Sequence, residues 1–205
     1  MKIGILLLIS SLSLLASIHA ITDTGDEVIL KNDGTWSYTK NIQDKSVLST
    51  NSQRFTKPQD ASFLLKSTKN SCALWLNPTT WSFKKPEEAS DAEYELQLKN
   101  GDLYGMVINE EIEVNLKALT DIAISNAQEV STNLHIDTKE YRIVNGHKVI
   151  FMQMSGTIQG IDFTYLGYYY SDSSGSTQLL VYTASNLVAK YRTEIFNLLN
   201  GFVTQ

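Results

Sequence analysis

Four consecutive segments of this sequence alternate apolar with polar residues, and a short turn joins each segment to the next. The segments span 138–144, 148–157, 161–171 and 177–184, and the turns are Asn145-Gly146, Gln159-Gly160 and the stretch DSSGS. Alternation with a period of two predicts β-strands, and connections this short make neighbouring strands antiparallel. The chain is therefore predicted to build an antiparallel sheet around this meander.

The sequence on either side of the meander adds further strands and two helices. Short strands are predicted in SFLLKS and CALWLNP, with Trp81 following in a turn, and residues 93–109 predict a second hairpin. Helical spacing of apolar residues predicts one helix after an N-cap at Asn115, ending near residue 130, and another over about 186–200. These elements predict an α+β fold, in which an antiparallel β-sheet has helices packed on one or both faces.

The N-terminal residues 1–20 have the layout of a secretory signal peptide. Lys2 precedes an apolar run over 3–16, and a short polar end predicts cleavage after Ala20. The alternative is an uncleaved membrane anchor, but serines interrupt the run and it is shorter than the ~20 residues that a span needs. The protein is therefore predicted to be exported, to the periplasm or the extracellular space, with no stable membrane insertion after cleavage.

Three segments are predicted to follow the signal peptide. Residues 21–38 contain two alternating stretches around an Asp-Gly turn, which predicts a small β-hairpin. Two strands alone are marginally stable in water, so the hairpin is expected to rest on the main domain, to rest on a partner or to stay loosely held. Residues 39–60 are polar and aperiodic and predict a linker. Residues 61–205 form the predicted α+β domain.

Composition limits the partners and the chemistry of the chain. With 22 acidic and 17 basic residues the formal charge is −5, so no nucleic-acid partner is predicted. The single cysteine, Cys72, excludes an internal disulfide. It lies in the apolar stretch NSCALWL, where a buried small hydrophobe is a better interpretation than a thiolate nucleophile.

The sequence carries no recognisable constellation for catalysis, a metal or a cofactor. His135 and His147 have no ligand partners at metal-binding spacing, and the acidic residues at 110, 111 and 113 precede a predicted helix, whose dipole favours them there. No nucleophile elbow occurs. We therefore predict no cofactor, no metal and no enzymatic activity. A hydrolase using carboxylates such as Glu93, Glu95 and Asp102 stays open as an alternative.

Tyrosine and phenylalanine are concentrated between residues 163 and 183. Strand alternation directs Phe163, Tyr165 and Tyr169 to one face of the sheet, and Leu166, Tyr168 and Tyr170 to the other. One of these faces has to form the hydrophobic core beneath the predicted helices. The other is predicted to be a shallow binding surface, with a second covered face or cross-strand aromatic pairing as the alternatives. The candidate binding residues are Trp36, Tyr38, Tyr104, Tyr168 and Tyr170.

Several segments resemble the PsbP-like superfamily, which includes DcrB-like exported bacterial proteins. They are ALWLNPTTW (73–81), YELQLKNGDLYGMVINEEIEV (94–114), VNGHKVIFMQMSGTIQGIDFTYLGYYYS (144–171) and LLVYTASNL (179–187). The resemblance implies a PsbP-like α/β/α sandwich. It also implies a role in binding or assembly, because no active site is shared across that superfamily.

Three functional hypotheses follow. The favoured one is an exported, non-catalytic module that binds a protein or an envelope component through the free face of the sheet. The second is a carrier of a small apolar ligand, with its pocket between the sheet and the hairpin. The third is the hydrolase with dispersed carboxylates.

Overall fold

The computed structural model describes residues 18–22, 27–31, 34–38, 48–87 and 90–205. The predicted signal peptide therefore lies outside the described residues except for its last three positions. The chain divides into two compact units, Met1–Asp44 and Lys45–Gln205. In the part of the chain that is described, no helix has the length and apolar character that crossing a membrane requires.

The first unit contains a three-stranded antiparallel sheet. Its strands are β1 (Ile18–Ile21), β2 (Glu27–Leu30) and β3 (Trp36–Tyr38), with β2 in the centre. The pairing of β2 with β3 is the predicted hairpin, and β1 is an addition to it. Most of β1 falls within the predicted signal peptide, so cleavage after Ala20 would remove three of its four residues.

The described residues of the second unit form eleven strands in two sheets. They are β4 (Thr50–Phe55), β5 (Phe63–Lys66), β6 (Cys72–Leu76), β7 (Trp81–Lys84), β8 (Tyr94–Leu98), β9 (Tyr104–Glu110), β10 (His135–Val144), β11 (His147–Ile158), β12 (Ile161–Asp172), β13 (Gly175–Ala184) and β14 (Phe202–Thr204). The large sheet has the order β4-β10-β11-β12-β13-β9-β8-β7, and the small sheet has the order β14-β6-β5. The strands β10 to β13 pair antiparallel in sequence order, as the four-segment pattern predicts.

In the described part of the chain two α-helices accompany the sheets, α1 (Leu116–Val130) and α2 (Arg192–Leu199). The predicted N-cap of α1 is confirmed, because the Asn115 side chain accepts a hydrogen bond from the backbone N–H of Lys117. The second helix is shorter than predicted. A 3₁₀ turn occupies Ser185–Leu187, and the α-helix begins only at Arg192.

One face of the large sheet packs against α2 and the small sheet. Its central side chains are Phe151, Leu166, Tyr168, Leu179 and Val181, which form one cluster with Leu74 and Leu76 of β6 and with Ile195, Leu198 and Leu199 of α2. We call this the α2 face. Burial of these apolar side chains is the main favourable contribution to the stability of this layer.

The opposite face packs against α1. Ile150, Met152, Met154 and Tyr169 form a second cluster with Leu119 and Ala123 of α1. We call this the α1 face. Tyr168 and Tyr169 are adjacent and enter opposite clusters, as alternation along a strand requires. Both faces of the sheet are therefore covered over β11 and β12.

Two segments differ from the sequence-based prediction. Residues 50–55, inside the predicted linker 39–60, form β4 and pair in parallel with β10. Trp81, predicted in a turn, is the first residue of β7 and is buried in the α2-face cluster. The strand β4 is mostly polar and solvent-exposed and therefore gives no alternation signal, and β7 alternates over only four residues, WSFK, directly after the turn at Asn77-Pro78.

Candidate binding surface

Among the described residues, no helix packs on the α1 face over β8 and β7. The main contacts of α1 with the sheet fall on β11 and β12. Beyond them the surface forms a groove of about 370 Å³ that is lined by Ser82, Phe83, Lys84, Glu95, Leu96, Gln97, Tyr104, Gly105 and Tyr182. We call this the tyrosine groove, and its position is set by where α1 ends its coverage of the sheet.

Three tyrosines on adjacent strands form a row that leads into the groove. Tyr165 of β12 lies directly opposite Tyr182 of β13, which lies opposite Tyr104 of β9. The ring centroids are 5.4 Å apart for Tyr165–Tyr182 and 5.8 Å apart for Tyr104–Tyr182, and the second pair is stacked with an interplanar angle of 25°. Cross-strand aromatic pairs of this kind stabilise a sheet and fix the ring orientations.

The row continues across the groove with polar residues. Gln97 of β8 lies opposite Tyr104, and Ser82 of β7 lies opposite Gln97. Both polar side chains are exposed. Burial raises the pKa of Tyr165 and Tyr182, so their phenols stay protonated at neutral pH and present neutral hydroxyl groups.

The charges at the groove are one lysine paired with two carboxylates. The Lys84 ammonium lies 3.6 Å from the Glu95 carboxylate and 2.9 Å from the Glu87 carboxylate. The hydrogen bond and charge of Glu87 raise the pKa of Lys84, and the same contact lowers the pKa of Glu87. All three side chains are solvent-exposed, so these pairs contribute little to stability.

The prediction of Tyr168 as a binding residue is wrong. Its side chain is only 1% exposed, its ring meets Phe151 edge-on at 6.0 Å, and its hydroxyl donates a 2.8 Å hydrogen bond to Oδ1 of Asn200. The physical reason is that Tyr168 points to the α2 face, which α2 and the small sheet cover.

Tyr170 was also predicted to be a binding residue, but it does not lie at the open surface. Its half-buried ring packs 5.2 Å from Phe202 and 6.0 Å from His147, on the α2 face. Burial, together with a hydrogen bond to the Asp172 carboxylate, raises the pKa of Tyr170 to about 12. Tyr170 is therefore held within the packing between β12 and β14.

The remaining predicted residues divide between the two units. Tyr104 lines the groove. Trp36 and Tyr38 belong to β3 of the first unit, where Trp36 is 53% exposed and lies opposite Leu30. Tyr182 is a groove residue that the sequence did not indicate, and alternation placed Tyr165 only on a face, because alternation within one strand does not give the register between β9 and β13.

The space enclosed between the two sheets is very small. It measures about 10 Å³ and is lined by residues that include Cys72, Asn109, Thr177 and Phe202, which is the room of a single water molecule. Burial raises the pKa of the Cys72 thiol to about 11. This matches the interpretation of Cys72 as a buried small side chain, because a thiol with a raised pKa is a poor nucleophile.

One polar cluster contains the residue types of a serine-hydrolase triad in a different order. The Asp137 carboxylate accepts a 2.6 Å hydrogen bond from the Ser155 hydroxyl and lies 3.2 Å from Nε2 of His135. The carboxylate therefore stands between the hydroxyl and the imidazole, whereas activation of a serine needs the imidazole in that position. Among the described residues, no group of three or more His, Cys, Asp or Glu side chains is placed to hold a metal ion.

The carboxylates named for the hydrolase alternative lie in different environments. Burial alone would raise the pKa of Glu93, but hydrogen bonds from Thr68, Asn109 and Ser67 outweigh it and lower that pKa. Glu93 is thus a buried, ionised acceptor, which does not suit a general acid. Glu95 lies at the groove, beside Lys84.

No family model matches the chain, and no curated protein matches it either. Among solved structures, the cyanobacterial PsbP protein CyanoP from Synechocystis sp. PCC 6803 aligns with a TM-score of 0.57 at 16% identity, over 71% of this chain and 94% of that one. PA94 from Pseudomonas aeruginosa aligns with a TM-score of 0.45 at 8% identity, over 70% and 96% of the two chains. LpqN from Mycobacterium tuberculosis aligns with a TM-score of 0.39 at 9% identity, over 74% and 82%. The alignment with CyanoP confirms the predicted resemblance at the level of the fold: this chain has a PsbP-like fold.

Proposed function

We propose that this protein is an exported, non-catalytic binding module that contacts a protein or another component of the cell envelope through the tyrosine groove. The observation that carries the proposal is that, among the described residues, Tyr104, Tyr182 and the neighbouring strands line an open groove, while Tyr165 packs against the α1-face cluster and the rest of the sheet centre is packed on both faces. Export is supported by the layout of residues 1–20.

The composition of the groove suits recognition. Tyrosine combines a rigid apolar ring with a polar tip, and it is enriched at binding surfaces for that reason. The pairing of Tyr104 with Tyr182 holds the rings in place before a ligand arrives. A preorganised surface loses less conformational entropy on binding.

The two alternative functions have less support. The carrier hypothesis places its pocket between the sheet and the hairpin, which belong to separate units; within the second unit, the space between the two sheets is about 10 Å³, far below the ~300–1,000 Å³ of a small-molecule site. A hydrolase needs paired carboxylates with separated pKa values, and Glu93 is engaged by four hydrogen bonds from Ser67, Thr68 and Asn109.

We expect Tyr104→Ala to abolish capture of the bound component from an envelope extract. The change removes the ring that forms one wall of the groove. Ser82→Arg is the second variant, because it fills the groove from an exposed position without removing packing. Gln128→Ala, at an exposed position of α1, is the matched control and is expected to capture as the unmodified chain does.

The measurement is quantitative mass spectrometry and glycan analysis of the captured material, after circular dichroism has shown that every variant is folded. A component retained equally by folded Tyr104→Ala, folded Ser82→Arg and the control would contradict the proposal, because retention would then not depend on the groove.

A further inference from the structure

We infer that the tyrosine groove binds a neutral oligosaccharide, so that the component contacted is a glycan of the envelope. The inference rests on the proposed function and names the chemical class of its ligand. It is carried by the position of Tyr104 in the groove, by the hydrogen-bonding groups beside that ring, by the charge balance of the groove and by its size.

The Tyr104 ring lines the groove and is held by Tyr182, with nearly parallel planes and centroids 5.8 Å apart across neighbouring strands. Gln97 lies opposite Tyr104 on the next strand and lines the same groove. The face of an aromatic ring carries negative electrostatic potential, so it attracts the C–H groups on one face of a pyranose ring.

Hydrogen-bonding groups surround that ring face. Gln97 supplies a carbonyl and an amide, Ser82 a hydroxyl, and Glu95 and Lys84 an acceptor and a donor. Each sugar hydroxyl donates one hydrogen bond and accepts others. The Ser82 hydroxyl donates to the backbone carbonyl of Gln97, and Lys84 pairs with Glu95 and Glu87, but these exposed groups keep further hydrogen-bonding capacity that water fills. The mixed set of donors and acceptors is therefore complementary to a polyhydroxylated ring, whereas a purely apolar ligand would displace that water without replacing its hydrogen bonds.

The charge balance favours an uncharged ligand. The charged residues lining the groove are one lysine and one glutamate, and their side chains lie 3.6 Å apart. A phosphorylated or strongly acidic ligand would meet Glu95, and a cationic ligand would meet Lys84. Unmatched charges of this kind lower affinity. A neutral saccharide avoids both costs.

The size of the groove also fits a short saccharide better than a folded protein. Its volume of about 370 Å³ lies in the range of small-molecule sites. A stable protein–protein interface buries about 800 Å² on each partner. The groove is also open and shallow, which allows an internal segment of a long glycan to lie across it.

The experiment is an NMR titration of the ¹⁵N-labelled full chain with three neutral probes: maltotetraose, cellotetraose and a tetramer of N-acetylglucosamine. We expect at least one probe to shift the backbone amides of Gln97, Tyr104 and Gly105. Tyr104→Ala is expected to weaken its binding by about tenfold or more, while Tyr104→Phe, which keeps the ring, stays within about threefold of the unmodified chain. Gln128→Ala is expected to bind unchanged.

The ligand class is overturned if no probe shifts these amides at millimolar concentration, if the shifts lie outside the groove, or if folded Tyr104→Ala binds with unchanged affinity. Digestion of the envelope extract separates this inference from the proposed function. Material captured in a Tyr104-dependent way after protease treatment of the extract supports a glycan. Loss of Tyr104-dependent capture after protease treatment overturns the glycan and leaves the proposed function in place, with a protein as the component.

Discussion

Tyr168→Ala will lower the free energy of unfolding by about 3–5 kcal/mol, the range for removing a large aromatic side chain from a packed core. Tyr168 is 1% exposed and lies in the cluster that joins the large sheet to α2. The substitution leaves a cavity beside Phe151 and removes the hydrogen bond to Asn200. Denaturant unfolding followed by circular dichroism measures the change.

Tyrosine-to-phenylalanine substitutions at Tyr168 and Tyr169 separate the contribution of the ring to stability from that of the hydroxyl group. Tyr168→Phe is expected to cost about 1 kcal/mol, because it removes one hydrogen bond. Tyr169→Phe is expected to cost nothing or to stabilise slightly, since the buried Tyr169 hydroxyl has no hydrogen-bond partner in the described part of the chain.

A Tyr168→Ala variant as stable as the unmodified chain would mean that the α2 face is not packed as described.

Glu93→Gln will destabilise the second unit by about 2–4 kcal/mol. The Glu93 side chain accepts hydrogen bonds from the Ser67 hydroxyl, from the Thr68 N–H and hydroxyl, and from Asn109. These bonds join the turn between β5 and β6 to the large sheet. A glutamine places an amide donor against one of these donors, and a buried polar group without a partner costs about 1–3 kcal/mol.

The pH dependence provides a separate test of the same carboxylate. The pKa of Glu93 is lowered in the folded protein, so its contribution to stability is fully present above the unfolded pKa of about 4.3 and is lost as the pH falls through the folded pKa. We therefore expect the stability difference between the unmodified chain and Glu93→Gln to be largest above about pH 5 and to shrink in more acidic solution. A difference that grows on acidification would contradict an ionised Glu93. Glu95→Gln, at an exposed position, is the control.

Elements whose signals are local could be predicted from the sequence. The four meander strands, the hairpin over β8 and β9 and the cap at Asn115 each depend on residues within one or two turns of the chain. The strand β4 has no such signal. It consists of TNSQRF at the sheet edge and is held by pairing with β10, which lies far away in the sequence.

The binding surface was harder to predict because it depends on tertiary packing. Alternation correctly assigns Tyr168 and Tyr169 to opposite faces of the sheet, but it does not show which helix packs against which face. Tyr168 faces α2 and is buried, so the prediction of an open surface there is wrong. Tyr104 was identified, yet its neighbour Tyr182 was not, since their pairing depends on the register of two strands separated by α1 and three further strands.

The central claim is that the groove beside Tyr104 is the surface that meets the envelope, and photo-crosslinking tests it most directly. A photoreactive phenylalanine analogue is incorporated at Gln97, inside the groove, and separately at Gln128, on the exposed side of α1. After irradiation of intact cells, we expect an adduct from position 97 that Tyr104→Ala removes, and no adduct from position 128. An adduct from position 128 with none from position 97 would contradict the claim.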